Sequence, residues 1–159
     1  MALLRRTIQD TGATNVWLVQ ADLGTPVPFS RQFPTVLVDA PCSGLGTLRR
    51  DPDIKWRRAE RDLRALSCAQ TTMLANAADA VAPGGRLVYA TCSSEPEENE
   101  DVVGQFLAST PAFALKPASG AHPRLAADLV DERGCLRTSP DRHGLEAFFG
   151  AVFERVGHL

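Results

Sequence analysis

Val36-Leu37-Val38-Asp39-Ala40-Pro41-Cys42-Ser43-Gly44 and Arg86-Leu87-Val88-Tyr89-Ala90-Thr91-Cys92-Ser93 decide the fold class. Each begins as a short apolar stretch rich in β-branched residues, the pattern of a strand. Each stops at a small or turn-forming residue beside a thiol. The first run is apolar without alternation, as in a parallel strand covered on both faces. Open α/β sheets bind ligands just outside the carboxyl ends of their strands. Two thiols and the Asp39 carboxylate delivered to that rim point to covalent catalysis. A lone cysteine after one strand would be explained as well by packing, as a small hydrophobe. The same arrangement twice in one short chain argues against that.

Outward from these runs, residues 2–11 read as a helix ended by Gly12, a C-cap glycine. Val16–Ala21 reads as a strand ending at Asp22-Leu23-Gly24, and Pro26, Pro28 and Pro34 mark a connecting loop. Thr35–Asp39 is the next strand. Asp53-Ile54-Lys55-Trp56 leads into a helix over Arg61–Ala82, whose Leu63, Leu66, Met73, Leu74, Ala77, Ala78 and Val81 recur at helical spacing. Pro83-Gly84-Gly85 is expected to cap that helix before the strand Leu87–Thr91. Glu97–Ser109 reads as a helix opened by Pro96, with its acids at the positive end of the dipole. Residues 110–132 read as irregular, and Gly134–Thr138 and Ala147–Val156 as a late hairpin. Strands and helices in this order make a doubly wound α/β sheet, one domain over residues 1–159.

Composition excludes more than it selects. The 44% hydrophobic content is that of an ordinary globular domain. No run approaches the roughly 18 apolar residues of a membrane span. No apolar signal segment opens the chain and the four cysteines lack framework spacing, so reduced thiols and a cytoplasmic location are expected. No C-x-x-C occurs, and His122, His143 and His158 read as loop or tail residues without metal-ligand spacing, so no metal is expected. Net charge is −2, but Arg49–Arg64 holds seven basic against four acidic residues, leaving +3 there and −5 elsewhere. Such a segment, directly after the first thiol, suits a phosphate backbone. Without the cysteines it would read as a solvated, salt-bridged helix face.

Residues 36–56 (VLVDAPCSGLGTLRRDPDIKW) and 84–103 (GGRLVYATCSSEPEENEDVV) together resemble the RNA cytosine-5 methyltransferases of the Sun/Fmu group. The late RHGLEAFFGAVFER (142–155) is similar to that family's closing hairpin, with Ala147 where the family has Gly. The resemblance implies a Rossmann-like methyltransferase fold with sheet order 3-2-1-4-5-7-6, S-adenosyl-L-methionine as methyl donor, and ribosomal RNA as substrate and partner. It assigns attack on carbon 6 of cytosine to Cys92 and assistance to elimination and release to Cys42. Asp39 would contact the base and the donor, Pro41 the donor, and Asp22 the donor's adenosine. Arg49, Arg50 and Lys55 would hold RNA. DNA cytosine-5 methyltransferases use the thiol of a Pro-Cys after a strand as nucleophile, so spacing alone does not rank Cys42 and Cys92.

The family's donor-binding Gly-rich loop and the acid after its second strand have no counterpart in these residues. Ala82-Pro83-Gly84-Gly85-Arg86 has the letters of that loop, but a donor loop follows a strand and opens a helix. The chain is therefore expected to supply strands 3 to 7, the C-terminal part of a catalytic domain, and to be inactive in isolation. Val16–Ala21 would either pair directly beside Val36–Asp39, or the bare apolar edge would drive self-association. Two other readings compete. An inactive fragment would only bind RNA through residues 49–64. A thiol phosphatase would use Cys42 in a Gly-rich loop, but C-x5-R needs Arg at 48, where Leu48 stands.

Overall fold

The computed structural model describes residues 2–120 and 125–157, so the readings of His122 and His158 lie outside the described residues. The elements in chain order are α1 (Ala2–Thr11), β1 (Phe33–Asp39), α2 (Ile54–Arg57), α3 (Glu60–Ala78), β2 (Val81–Thr91), α4 (Glu100–Ser109), β3 (Phe113–Lys116), β4 (Leu136–Arg137), α5 (Pro140–His143) and β5 (Phe149–Arg155). The sheet order is β1-β2-β5-β3. β1 and β2 are parallel, joined by the crossover through α3, and β5 runs antiparallel to β2. The far edge of β5 is shared: β3 pairs along residues 152–155, and β4 pairs at Phe149 and Gly150. The α/β class and the late hairpin are as the sequence implies, and this order corresponds to 4-5-7-6 of the expected arrangement.

Alternation decides which face is covered. Leu87, Tyr89, Phe149, Ala151 and Phe153 point at one face and are buried against Leu74, Ala77 and Ala78 of α3 and Val102, Val103 and Phe106 of α4. The Phe106 and Phe153 rings meet edge to face at 4.9 Å, a favoured aromatic geometry. α3 starts where the Asp62 carboxylate accepts the Ala59 N–H at 2.9 Å, with Glu60 and Asp62 at the positive dipole end.

Several expectations need correction. Val16–Ala21 forms no strand, neither beside β1 nor elsewhere, and Trp17 is 83% exposed. β-Branched residues favour a strand only when a neighbour takes their backbone hydrogen bonds, and in the order 3-2-1-4 the partners of this segment are absent from these residues. β1 is accordingly an edge with no partner on its outer side among the described residues. It is not covered on both faces either: Val38 is buried while Leu37 is 63% exposed. α1, where expected, buries none of its residues. The helix before β2 ends at Ala78, so Pro83-Gly84-Gly85 does not cap it. These residues loop out within β2, between the pairs Phe33↔Val81 and Thr35↔Arg86. Residues 96–98 form a separate 3-10 turn ahead of α4. β3 lies inside the stretch read as irregular, and His143, expected in a loop, ends α5, where its Nδ1 accepts the Ser139 N–H.

Candidate active site

Because β1 and β2 are parallel and in register through Asp39↔Ala90, their carboxyl ends reach the same rim. One further bond, from Ala40 N–H to the Ala90 carbonyl at 2.9 Å, carries the pairing past the strand end. The chain then delivers Cys42 and Cys92 side by side, with their Sγ atoms 3.2 Å apart. Both thiols are free and half-buried. Burial, reinforced by the hydrogen bond with Cys92, pushes the Cys42 thiol up to about 12. At neutral pH Cys42 is therefore S–H. Iodoacetamide, which reacts with thiolates, is expected to label Cys42 slowly up to pH 9 and faster only as the pH rises toward 12. Peptide mapping across that range checks this, and Cys42 labelling as fast at pH 8 as at pH 11 would contradict it.

Two glycines shape the first loop. Gly44 has φ +78°, the left-handed region that favours glycine. Gly46 is the point of closest approach: its N–H donates to the Cys92 carbonyl at 3.0 Å and its carbonyl accepts the Ala147 N–H at 3.0 Å. A Cβ there would collide with the Ala147 carbonyl and come within 2.8 Å of that of Cys92. Gly46 thus pins the Cys42 loop, the end of β2 and the approach to β5 together.

Beneath the thiols lies a buried polar cluster that sequence reasoning missed. Glu98 is fully buried. Its Oε1 accepts the Ser43 N–H at 2.8 Å and the Gln70 amide at 2.9 Å, and its Oε2 accepts the Ser43 hydroxyl at 2.5 Å and the Ser93 hydroxyl at 2.6 Å. Gln70 also donates to the Pro41 carbonyl at 3.0 Å. Tyr89 donates to the Glu98 carbonyl oxygen at 2.6 Å, and burial together with the Glu98 charge holds its hydroxyl protonated. Asn99 accepts from Thr91 and donates to the Ser93 carbonyl, which accounts for the break between the 3-10 turn and α4. The sequence signal was the Ser that follows each cysteine. As a letter in an acidic run, Glu98 read only as a dipole partner.

Asp39 stands exposed at the end of β1, with no side-chain hydrogen bond or ion pair among the described residues, free to meet a ligand. Pro41 is exposed beside the thiol. Asp22 is not brought into contact with the thiols: its Oδ1 accepts the Gly24 N–H at 2.8 Å, closing its own turn. In the basic segment, Arg57 lies near Asp51 and Asp53, and Arg58 donates to the Ser43 carbonyl at 3.0 Å, so Arg58 supports the cysteine loop. Arg49 reaches the Gly144 carbonyl at 3.3 Å, Arg50 lies 3.7 Å from Glu146, and Lys55 sits over the Trp56 ring at 4.8 Å, all three exposed. Arg49 and Arg50 line an open groove of about 580 Å³ with Leu145 and Phe148, whose side chains are partly exposed. No group of His, Cys, Asp and Glu among the described residues could hold a metal, and no helix among them is long and apolar enough to cross a membrane.

The family model described as 16S rRNA methyltransferase RsmB/F matches residues 1–154. The chain belongs to that family. Ribosomal RNA small subunit methyltransferase B of Salmonella paratyphi A is 51% identical over 85 residues, 54% of this chain and 20% of that protein. Its namesake in Klebsiella pneumoniae is 50% identical over 86 residues. The chain thus spans about a fifth of these RsmB/F relatives. Among solved structures, PH0851 matches 97% of this chain and 34% of its own at 33% identity and a TM-score of 0.85. NSun6 from Pyrococcus horikoshii, solved with SFG, matches 98% of this chain and 38% of its own at 25% identity and a TM-score of 0.79. The RsmB/F membership and these likenesses agree on the fold and on the Sun/Fmu group.

Proposed function

We propose that this chain is the cysteine-bearing, C-terminal part of a catalytic domain that methylates carbon 5 of a cytosine in ribosomal RNA, in the cytoplasm, through a covalent cysteine adduct. The observation that carries the reading is the pair of thiols 3.2 Å apart at the carboxyl ends of neighbouring parallel strands. S-adenosyl-L-methionine supplies the electrophilic methyl group. The exposed Asp39 carboxylate fits a contact to base and donor, and Pro41 lies beside it; Asp22, engaged in its own turn, fits the donor's adenosine less well.

Carbon 5 of cytosine is a poor nucleophile. The sulfur of Cys92 bonds to carbon 6, and the ring electrons so released form the carbon-5 to methyl bond as the methyl–sulfonium bond breaks. The carbon-5 proton then passes to the Cys42 sulfur as that sulfur hands its own proton to Cys92, which restores the ring double bond as the carbon-6 to sulfur bond breaks. A protonated Cys42 3.2 Å from Cys92 fits this relay, giving one proton to the departing sulfur and taking one from carbon 5, so that it ends as it began. The test is nucleoside mass spectrometry of ribosomal RNA incubated with donor and the full-length enzyme. 5-Methylcytidine is expected, and methylation only at another atom would refute the reading.

Arg49, Arg50 and Lys55 are proposed to bind phosphates, and Phe148 beside Arg49 and Arg50 offers an aromatic surface of the kind single-stranded RNA stacks on. Replacing each of the three cations by Ala is expected to weaken RNA binding and to lower the slope of log K against log salt by about 0.7 for each phosphate that is no longer neutralised. Filter binding at several salt concentrations measures it, and weaker binding at an unchanged slope would make the segment structural. The unpartnered β1 edge is proposed to pair with another chain or another segment of the sheet.

A further inference from the structure

Glu98 takes no part in the chemistry proposed above, yet four donors converge on it. No cation pairs with it among the described residues, and a buried carboxylate without a cation is expensive unless hydrogen bonds satisfy it. The donors are not spread at random. Two belong to Ser43 and one to Ser93, the residues directly after the two thiols. The Ser43 and Ser93 hydroxyls, 3.2 Å apart, share Oε2. The pairing of the strands ends with the bond from Ala40 N–H to the Ala90 carbonyl, so beyond it the thiol separation depends on what ties the two loops. The bond from Gly46 to the Cys92 carbonyl is one tie, and the Glu98 carboxylate is another.

We propose that Glu98 is a positioning residue: by gripping Ser43 and Ser93 with one carboxylate it sets the separation of Cys42 and Cys92. The inference rests on the reading that both thiols take part in adduct chemistry, and it deepens it. Gln70 and Tyr89 extend the grip into the core, Gln70 through the carboxylate and the Pro41 carbonyl, Tyr89 through the Glu98 main chain.

The test reads thiol proximity directly and needs neither RNA nor donor, so its failure is distinct from failure of the methylation reading. The reduced protein is treated with oxidised glutathione. The Cys42 and Cys92 thiols lose two electrons and two protons to become one disulfide, and glutathione disulfide is reduced to two glutathione thiols. Peptide mapping follows the 42–92 bridge, while Cys135, buried at 2% exposure, reports global opening. Glu98→Ala is expected to slow bridge formation about tenfold or more, since close, oriented groups owe their rate to being held together, with Cys135 as protected as in the parent. Glu98→Gln is expected to restore near-parental closure, because its amide can donate to both hydroxyls while its carbonyl still accepts from Ser43 N–H and Gln70. Parental closure in Glu98→Ala with Cys135 protected overturns the proposal. So does slowing by Glu98→Gln equal to that by Glu98→Ala, which would assign the effect to charge. If Glu98→Ala exposes Cys135, the double variant Ser43→Ala, Ser93→Ala is measured instead: slowing supports the grip and parental closure overturns it.

Discussion

Cys42→Ala in the full-length enzyme is expected to trap an RNA–protein adduct, seen as a slow band on a denaturing gel, whereas Cys92→Ala is expected to yield neither adduct nor 5-methylcytidine. The asymmetry is the one the family resemblance implies, and the contact between the thiols is consistent with it. The two sulfurs lie 3.2 Å apart, and burial with the neighbouring sulfur keeps Cys42 protonated. A thiol so held is a poor nucleophile at neutral pH and lies within reach of the sulfur proposed to attack. Removing Cys42 leaves attack intact and removes the proton donor for release, so the intermediate accumulates. Removing Cys92 removes the nucleophile, and losses on the order of 10⁴-fold or more are typical of that change. An adduct with Cys92→Ala and none with Cys42→Ala would exchange the two roles.

The parts of this site that were legible in the sequence are those written locally. Val36–Asp39 and Leu87–Thr91 carry their own strand pattern, and each thiol follows directly, so their meeting at one rim required only that the strands be parallel neighbours. The helical spacing of Leu63, Leu74 and Ala77 placed α3 for the same reason. Elements that depend on distant partners were not legible. Val16–Ala21 has strand composition but no neighbour to pair with, and its residues stay largely exposed. β3 is four residues between prolines, too short for a pattern, and exists because β5 offers an edge along Val152–Arg155. Glu98 is distinguished from Glu97 only by where the 3-10 turn aims it, into the serines of two loops 55 and 5 residues away in sequence. The basic segment was legible as charge but not as structure: Arg57 lies near Asp51 and Asp53, Arg58 holds the Ser43 carbonyl, and Arg49 and Arg50 reach across to the Gly144 carbonyl and Glu146.

Gly46→Ala should damage turnover far more than it damages folding. The added Cβ would meet two backbone carbonyls, those of Ala147 and Cys92, and neither is the end of a flexible side chain that can swing aside. The loop must therefore withdraw, which breaks the Gly46–Cys92 and Ala147–Gly46 bonds, both 3.0 Å in the parent. Each broken bond between backbone groups shielded from water costs about 1–3 kcal/mol if left unsatisfied, and water can partly replace partners in a loop that has moved outward. The unfolding free energy measured by urea titration should fall by that order. Activity is more sensitive, because the same withdrawal pulls Cys42 from Cys92, and a displacement near 1 Å at reacting groups can cost about 10²-fold in rate. Gly44→Ala is the control. Its penalty is a left-handed φ of +78° and an approach to Ile54 Cδ1 at 3.2 Å, a side-chain end that can yield. It should lose about 1–2 kcal/mol of stability while keeping turnover nearer the parent. Turnover of the full-length enzyme, measured where both variants are fully folded, separates the two. If Gly46→Ala matches Gly44→Ala in rate, the pinch at Gly46 does not set the thiol geometry, and the Glu98 grip alone must hold the loops in register.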